Sequence, residues 1–396
     1  MAPIRIGMIG LSTVSDATNW AAVAHLPYLQ ASDRFEIVAL CNSSVERAKA
    51  SIKHYELSDS TRAYGSSEDL ANDPDVDLVV NVTGVGKHYE LLMPAVQVGK
   101  NCFTELPLAV DIEKTRQLVA TAKQSKIRTM MGMQGQANPV LNTIKRTIQD
   151  GGIGKVVSST VHGYAVIFGG KPMPTAFKKM FDRRQGVNMV TVWFLHTFNN
   201  VQHVLGDFEY FSSMLGITHP EVGIFDLTAT EKKISEKVTT TTPDQIFVQG
   251  KLASGALLTY HLEGGDPFPG EPGLRWHVVG DQGELMITNP IALVDMVHSG
   301  AKILLYEKGE PKLQHPMQHE KSVEPVEVKV QEDSLTNMKD PAQNVGRLYE
   351  AYADGKTDMY PDWNLGLKRH ELIEEMFQRW DGDQPFGPEA TYIKRA

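Results

Sequence analysis

The chain has 396 residues, of which 41% are hydrophobic and 22% charged, enough apolar material for a large core. That balance excludes a disordered chain, a collagen-like chain and a small disulfide scaffold, and the length leads us to expect two domains. Lys plus Arg is 39 against 48 for Asp plus Glu, a formal charge of -9, so nothing global draws the chain to nucleic acid or an anionic membrane. No run approaches the roughly 18 apolar residues of a membrane span. Met1-Ala2-Pro3 leads into an apolar run with no basic export signal, and a cytoplasmic location is expected. Cys41 and Cys102 close apolar runs and are expected as buried, reduced thiols.

In chain order, Ile4 to Ile9 reads as a strand ending at Gly10, and Trp20 to Leu26 as helix with a bend at Pro27. Phe35 to Cys41 is a second strand, followed by Asn42-Ser43-Ser44 and a helix from Val45 to Tyr55. Val76 to Val82 is the next strand, ending at Thr83-Gly84, and Tyr89 to Val98 the next helix. Asn101 to Thr104 is a strand before Glu105, Asp111 to Gln124 a helix, and Arg128 to Met133 a strand. This alternation predicts a Rossmann-type, doubly wound parallel sheet over residues 1–132. Ligands of such sheets sit at the carboxyl ends of the strands, here Gly10, Asn42, Thr83 and Glu105.

From residue 133 the rhythm changes. Val140, Leu141, Ile144 and Ile148 have helical spacing, stopped by Gly151-Gly152. Val156 to Val166, Ile246 to Leu252, Leu257 to Leu262, Trp276 to Val279 and Glu284 to Ile287 read as antiparallel strands. Helices are predicted over Val190 to Leu205, Pro341 to Asp354 and Trp363 to Trp380. Residues 133–396 are therefore expected as one α+β domain with an open, mostly antiparallel sheet. Thr239 to Thr242 and Gly264 to Gly273 read as loops, and Leu313 to Asn337 as a polar excursion.

A dinucleotide site needs glycines where the first strand turns into its helix, so that phosphate can approach backbone N–H groups. Here the turn reads Gly7-Met8-Ile9-Gly10-Leu11-Ser12-Thr13: Ser12 replaces the second glycine, and the loop to Asn19 is long. Hydroxyls at Ser12 and Thr13 still offer donors to phosphate. After the second strand no carboxylate is available for ribose hydroxyls; Asn42, Ser43, Ser44 and Arg47 suit a 2′-phosphate instead, so NADP(H) is preferred over NAD(H). The alternative is that Asn42 simply caps the following helix.

The Gly7 to Gly10 turn, Thr83-Gly84-Val85-Gly86-Lys87-His88 and Glu105-Leu106-Pro107-Leu108-Ala109 resemble the glucose–fructose oxidoreductase, inositol dehydrogenase and MocA family. Gly152-Ile153-Gly154-Lys155 and Gly280-Asp281-Gln282-Gly283-Glu284-Leu285 fall where that family has matching turns. Within it, Gly10-Leu11-Ser12, His88-Tyr89-Glu90, Met133-Gln134-Gly135, His196-Thr197 and Pro243-Asp244-Gln245 are most similar to the fungal galactose-pathway repressor subgroup. The resemblance implies a Rossmann domain, a second domain whose sheet often pairs two copies, and a cofactor site that also takes in Leu11, Thr83, Gly84, His88, Glu105, Leu106 and Gln134.

It implies a catalytic set as well, from which this chain departs. The family's lysine after the glutamate is Leu106, and the aspartate four residues before its acid–base histidine is Val192; the histidine itself matches His196. Hydride removal from an alcohol needs a base for the proton and a cation to steady the alkoxide. Lys87, His88, Tyr164, Asn188 and Asn199 are the candidates to stand in. Each has an ordinary reading too: His196 among Trp193, Phe194, Leu195 and Phe198 as a core histidine, Lys87 as a solvated helix-start cation, Tyr164 as packing. His315 and His319 have i,i+4 spacing, but Pro316 breaks the helix they would need, and no metal is expected.

Three functions remain. The first is an NAD(P)-dependent oxidoreductase of a sugar-like, polyol or small hydroxyl or carbonyl substrate, using His196, Tyr164 and Lys87. The second is an inactive, dinucleotide-binding regulator with a protein partner. The third is a non-redox lyase or epimerase using bound nicotinamide. The resemblance also implies a homodimer.

Overall fold

The computed structural model describes residues 2–14, 19–230, 233–308 and 324–382. The first sheet comprises β1 (Ile4–Ile9), β2 (Phe35–Cys41), β3 (Arg62–Tyr64), β4 (Leu78–Asn81), β5 (Asn101–Thr104) and β6 (Thr129–Met131). All its pairs are parallel, in the order β3-β2-β1-β4-β5-β6. Between the strands lie α1 (Leu26–Ala31), α2 (Val45–His54), α3 (Ser67–Ala71), α4 (His88–Gln97) and α5 (Ile112–Gln124). A π-helical turn over Ala21–His25 leads into α1, and Pro27 sits in the first turn of α1, where a missing N–H costs nothing. Ser44, Ser66 and Asp111 cap α2, α3 and α5 by accepting from backbone N–H groups of the first turn. The short β3 and α3 carry too little apolar periodicity to be read from sequence.

The second domain opens with α6 (Pro139–Gln149), capped by Asn138, and β7 (Val156–Ala165). There follow β8 (Met173–Pro174), α7 (Leu195–Leu205) after a π-helical segment at Met189–Phe194, β9 (Phe208–Gly216), β10 (Glu221–Phe225), β11 (Ile234–Thr239), β12 (Gln245–Leu252) and β13 (Leu257–Gly264). β14 (Leu274–Gly280), β15 (Gly283–Asn289), β16 (Lys302–Glu307) and β17 (Val326–Glu327) complete the strands; α8 (Ala342–Ala353) and α9 (Trp363–Gly382) end the described chain. The main sheet runs β17-β16-β15-β14-β7-β13-β12-β9 and is antiparallel except for β7 beside β13. β8, β10 and β11 make a small separate sheet that sequence reading missed. Ser212 and Ser213 interrupt the alternation of β9, which hid that strand as well.

Along β7 and β13, Val161, Tyr260 and Leu262 point inward, and Phe194 and Phe198 at the start of α7 pack on Tyr260 with ring centroids 5.3 and 5.4 Å apart. α8 returns to the first sheet, where Tyr349 stacks on Tyr28 at 5.5 Å and meets Phe35 and Phe103 edge-on. α9 lies along α5 and β6, with Trp363 Nε1 donating to the Met130 carbonyl. The Gly264 to Gly273 stretch is the surface loop between β13 and β14, with Phe268 75% exposed. Both cysteines are free and buried, and burial pushes the Cys41 thiol up to about 11. His315 and His319 lie outside the described residues. Among those described, no helix is long and apolar enough to cross a membrane.

Candidate functional site

At the carboxyl end of β1, Gly10 has φ +102°, and a Cβ there would sit 2.8 Å from the Val82 carbonyl oxygen. Only glycine fits both constraints. The following loop is tied down by side chains rather than by a second glycine: the Ser12 carbonyl accepts from Asn19 Nδ2 (2.8 Å) and the Tyr55 hydroxyl (2.6 Å). Leu11 is buried, and its carbonyl accepts from Asn42 Nδ2 at 2.8 Å. Asn42 therefore joins the first two strand ends, and Ser44 is the cap of α2. Arg47 donates to Ser43 Oγ at 3.1 Å on the exposed side. Glu46 competes for this helix start: its own N–H and the Ser44 hydroxyl hold its carboxylate below the usual range.

Beyond β4, the Thr83 hydroxyl donates to Asn81 Oδ1, while Gly84 and Gly86 face open space. Thr13, Gly84 and Gly86 are exposed at these strand ends, room for a phosphate to approach backbone. His88 is fully buried, with Nε2 2.9 Å from the Thr83 carbonyl oxygen and Nδ1 2.9 Å from that of Pro107, so it clamps the β4 and β5 loops together. Burial pushes its pKa down, against the pull of the two carbonyls. Glu105 turns inward: Oε1 lies 2.8 Å from His25 Nε2, and His25 Nδ1 lies 2.9 Å from the Tyr349 hydroxyl. Gly132 makes room for that carboxylate, since a Cβ there would overlap it at 2.2 Å. Leu106 is buried and brings no charge to the place of the family lysine.

After β6 the chain crosses between domains. Gln134 is fully buried, and neither carboxamide atom has a hydrogen-bond partner. Gly135 abuts α7 so closely that a Cβ would lie 1.8 Å from Asn200 Oδ1. Asn138 Nδ2 donates to the Val294 carbonyl at 3.0 Å. These contacts bring the β6 end beside the residues that surround His196.

His196 lies on the first turn of α7, 3% exposed, with Nδ1 2.7 Å from Asp295 Oδ2. Asp295 is completely buried; Asn200 Nδ2 donates to its Oδ1 at 3.1 Å, and Asn344 Nδ2 to its backbone carbonyl at 2.8 Å. The carboxylate absent at Val192 is thus supplied by the segment after β15. This contact commits Nδ1 and leaves Nε2 to act on a ligand. Sequence reading missed Asp295, Asn200 and His25. Asp295 alone left a trace, as the single acid in the run from Ile291 to Val297, since a buried charge needs a partner.

None of the other proposed stand-ins makes a hydrogen bond or ion pair with His196. Tyr164 is on the opposite face of the sheet from α7, its ring 4.6 Å from His162, and burial with Glu263 and Glu271 raises its pKa. Lys87 is 68% exposed and pairs with Glu90 at 3.1 Å. Asn188 caps the π-helical segment, and Asn199 Oδ1 accepts from Arg369 Nε at 3.0 Å.

Residues 4–133 match the profile of the oxidoreductase family with an NAD-binding Rossmann fold, and residues 139–289 that of the Gal80p C-terminal domain. The galactose/lactose metabolism regulatory protein GAL80 of Saccharomyces cerevisiae is 29% identical over 67% of this chain, a match spanning 62% of that protein's own length. Dehydrogenase aclE of Aspergillus oryzae is 26% identical over 74% of this chain and 79% of its own. A super-repressor mutant of Saccharomyces cerevisiae Gal80p superposes with TM-score 0.82 at 24% identity, covering 99% of this chain and 98% of that one. Levoglucosan dehydrogenase with NADH and L-sorbose superposes with TM-score 0.73 at 13% identity, covering 96% and 97%. The chain thus joins a Rossmann domain that matches the oxidoreductase family of glucose–fructose oxidoreductase, inositol dehydrogenase and MocA type to a second domain that matches the Gal80p C-terminal domain.

Proposed function

We propose that this chain is an NAD(P)-dependent oxidoreductase of a sugar-like, polyol or small hydroxyl or carbonyl substrate, with His196 as its acid–base group. The observation that carries the reading is the buried His196–Asp295 pair, which rebuilds from a distant segment the carboxylate support that the sequence lacks. The Gly10 turn, the held Ser12 loop and the open Gly84 and Gly86 suit a dinucleotide phosphate, and the unpartnered Gln134 carboxamide awaits a polar ligand. Bound nicotinamide supplies the hydride acceptor or donor. In the oxidative direction His196 Nε2 takes the hydroxyl proton, and Asp295 holds the ring in one tautomer and stabilises the imidazolium formed. Arg47 and Ser43 are assigned to a 2′-phosphate, hence NADP(H). A second copy of the chain is proposed to cover the sheet face that exposes Met214, Phe247 and Leu257, to be read by sedimentation.

Leu106 favours a second reading. With a buried leucine in place of the lysine and Lys87 facing solvent, neither position supplies a cation to steady an alkoxide, which suits a regulator that binds dinucleotide without turnover and contacts another protein. Calorimetry with NADPH and NADH, followed by nicotinamide absorbance against sugars, polyols and ketones, separates the two. Binding with turnover that collapses in His196→Ala supports the enzyme; binding without turnover transfers the assignment to the regulator. No binding of either nucleotide overturns both.

A further inference from the structure

The outer face of the eight-stranded sheet, turned away from α7 and proposed above as the face a second copy covers, carries a cluster that neither the dinucleotide nor the acid–base assignment uses. The parallel register of β7 and β13 sets His162 directly beside His261, and strand alternation brings Glu263 to the same face two residues on. One donor atom from each of these three residues lies within 4.8 Å of the other two. His162 Nε2 is screened from solvent with no hydrogen-bond partner, 3.4 Å from Glu263 Oε2. The two imidazoles are stacked at 7°, with centroids 4.8 Å apart, and Phe247 covers the His261 ring at 3.9 Å. Gln245 Oε1, 3.1 Å from His261 Nε2, fixes that ring from the side, as an outer-shell group does in a metal site.

From this geometry we infer that His162, His261 and Glu263 form a site for a divalent transition metal, of which zinc fits the donor set best. Two imidazole nitrogens and one carboxylate suit Zn²⁺, whereas Mg²⁺ and Ca²⁺ take oxygen ligands. Three protein ligands leave a fourth position for water or an incoming group. His162 Nε2 and Glu263 Oε2 already stand 3.4 Å apart, the span that tetrahedral bonds of about 2.0–2.2 Å need, and the stacked rings must splay to bring His261 to the same ion. All three side chains are only half-buried. Arg275, opposite His162 on β14, is held by Glu271 at 2.7 Å, so its charge is offset. Every ligand comes from one chain, and binding is read per chain whether or not two copies pair.

The test is calorimetric titration of the chelator-treated full chain with ZnCl₂, alongside the visible spectrum of the Co²⁺-loaded protein. The expected result is one ion per chain, an intense four-coordinate cobalt band, and no heat with Mg²⁺ or Ca²⁺. Glu263→Gln should weaken binding by about tenfold, and His162→Ala or His261→Ala by more, on the scale of metal-site mutations. Circular dichroism checks the fold, and NADPH binding stays unchanged in these variants because the face is opposite α7. Zinc bound equally well by the His162→Ala/His261→Ala double variant, or no zinc bound by the parent, overturns the site.

Discussion

Asp295 stands 99 residues from His196 in sequence, yet their side chains make a 2.7 Å contact inside the protein. A completely buried carboxylate must be compensated, and here the His196 imidazole and the Asn200 amide share that task. His196→Ala should lower kcat by about 10² to 10⁴. Asp295→Asn should lower it by a comparable factor of about 10³, because the ring loses its fixed tautomer, while nucleotide affinity measured by calorimetry holds. At the α2 start, the exposed Arg47 and Glu46 would act in opposite directions on the 2′-phosphate of the proposed NADP(H). Arg47→Ala should weaken NADPH and leave NADH unchanged, and Glu46→Gln should tighten NADPH, each by about tenfold in Kd.

The site depends on how closely two elements approach. The β6–α6 crossing lies so near α7 that Gly135 has no room for a side chain beside Asn200, the residue that holds Asp295. Gly135→Ala should cost about 1–3 kcal/mol by overpacking. It should also reduce turnover beyond what lost folded protein explains, since Asn200 is displaced from Asp295; denaturant unfolding and kcat on the same sample separate the two effects. Gly135 stood in the sequence as part of a motif, but its reason is the facing helix.

Across the whole molecule, α8 and α9 return from the second domain to clothe the first sheet, and α9 docks on α5 through His370 Nδ1, 2.8 Å from the Thr115 hydroxyl. Burial lowers the pKa of His370 and of His203 from 6.5 to about 4. The unfolded chain therefore takes up protons first, so these groups stabilise the fold fully above pH 6.5, and that stability is lost as pH falls towards 4. The loss from His370 alone is on the order of 3 kcal/mol. His370→Gln should lower the Tm at neutral pH through the lost contact yet flatten its fall between these limits, as calorimetric scans across pH would read.

Sequence alone determined what depends on neighbours along the chain. The β1, β2, β4 and β5 strands, the α2 and α5 helices and the Gly10 turn follow from local periodicity, caps and one required positive φ. The short β3, the serine-interrupted β9 and the small β8–β10–β11 sheet were hidden because pairing with other strands, not their own pattern, makes them strands. His196 could be singled out, but its carboxylate could not. Asp295 and the His162–His261–Glu263 cluster are assembled by strand register and helix docking over about a hundred residues, and spacing along one chain carries no record of such meetings.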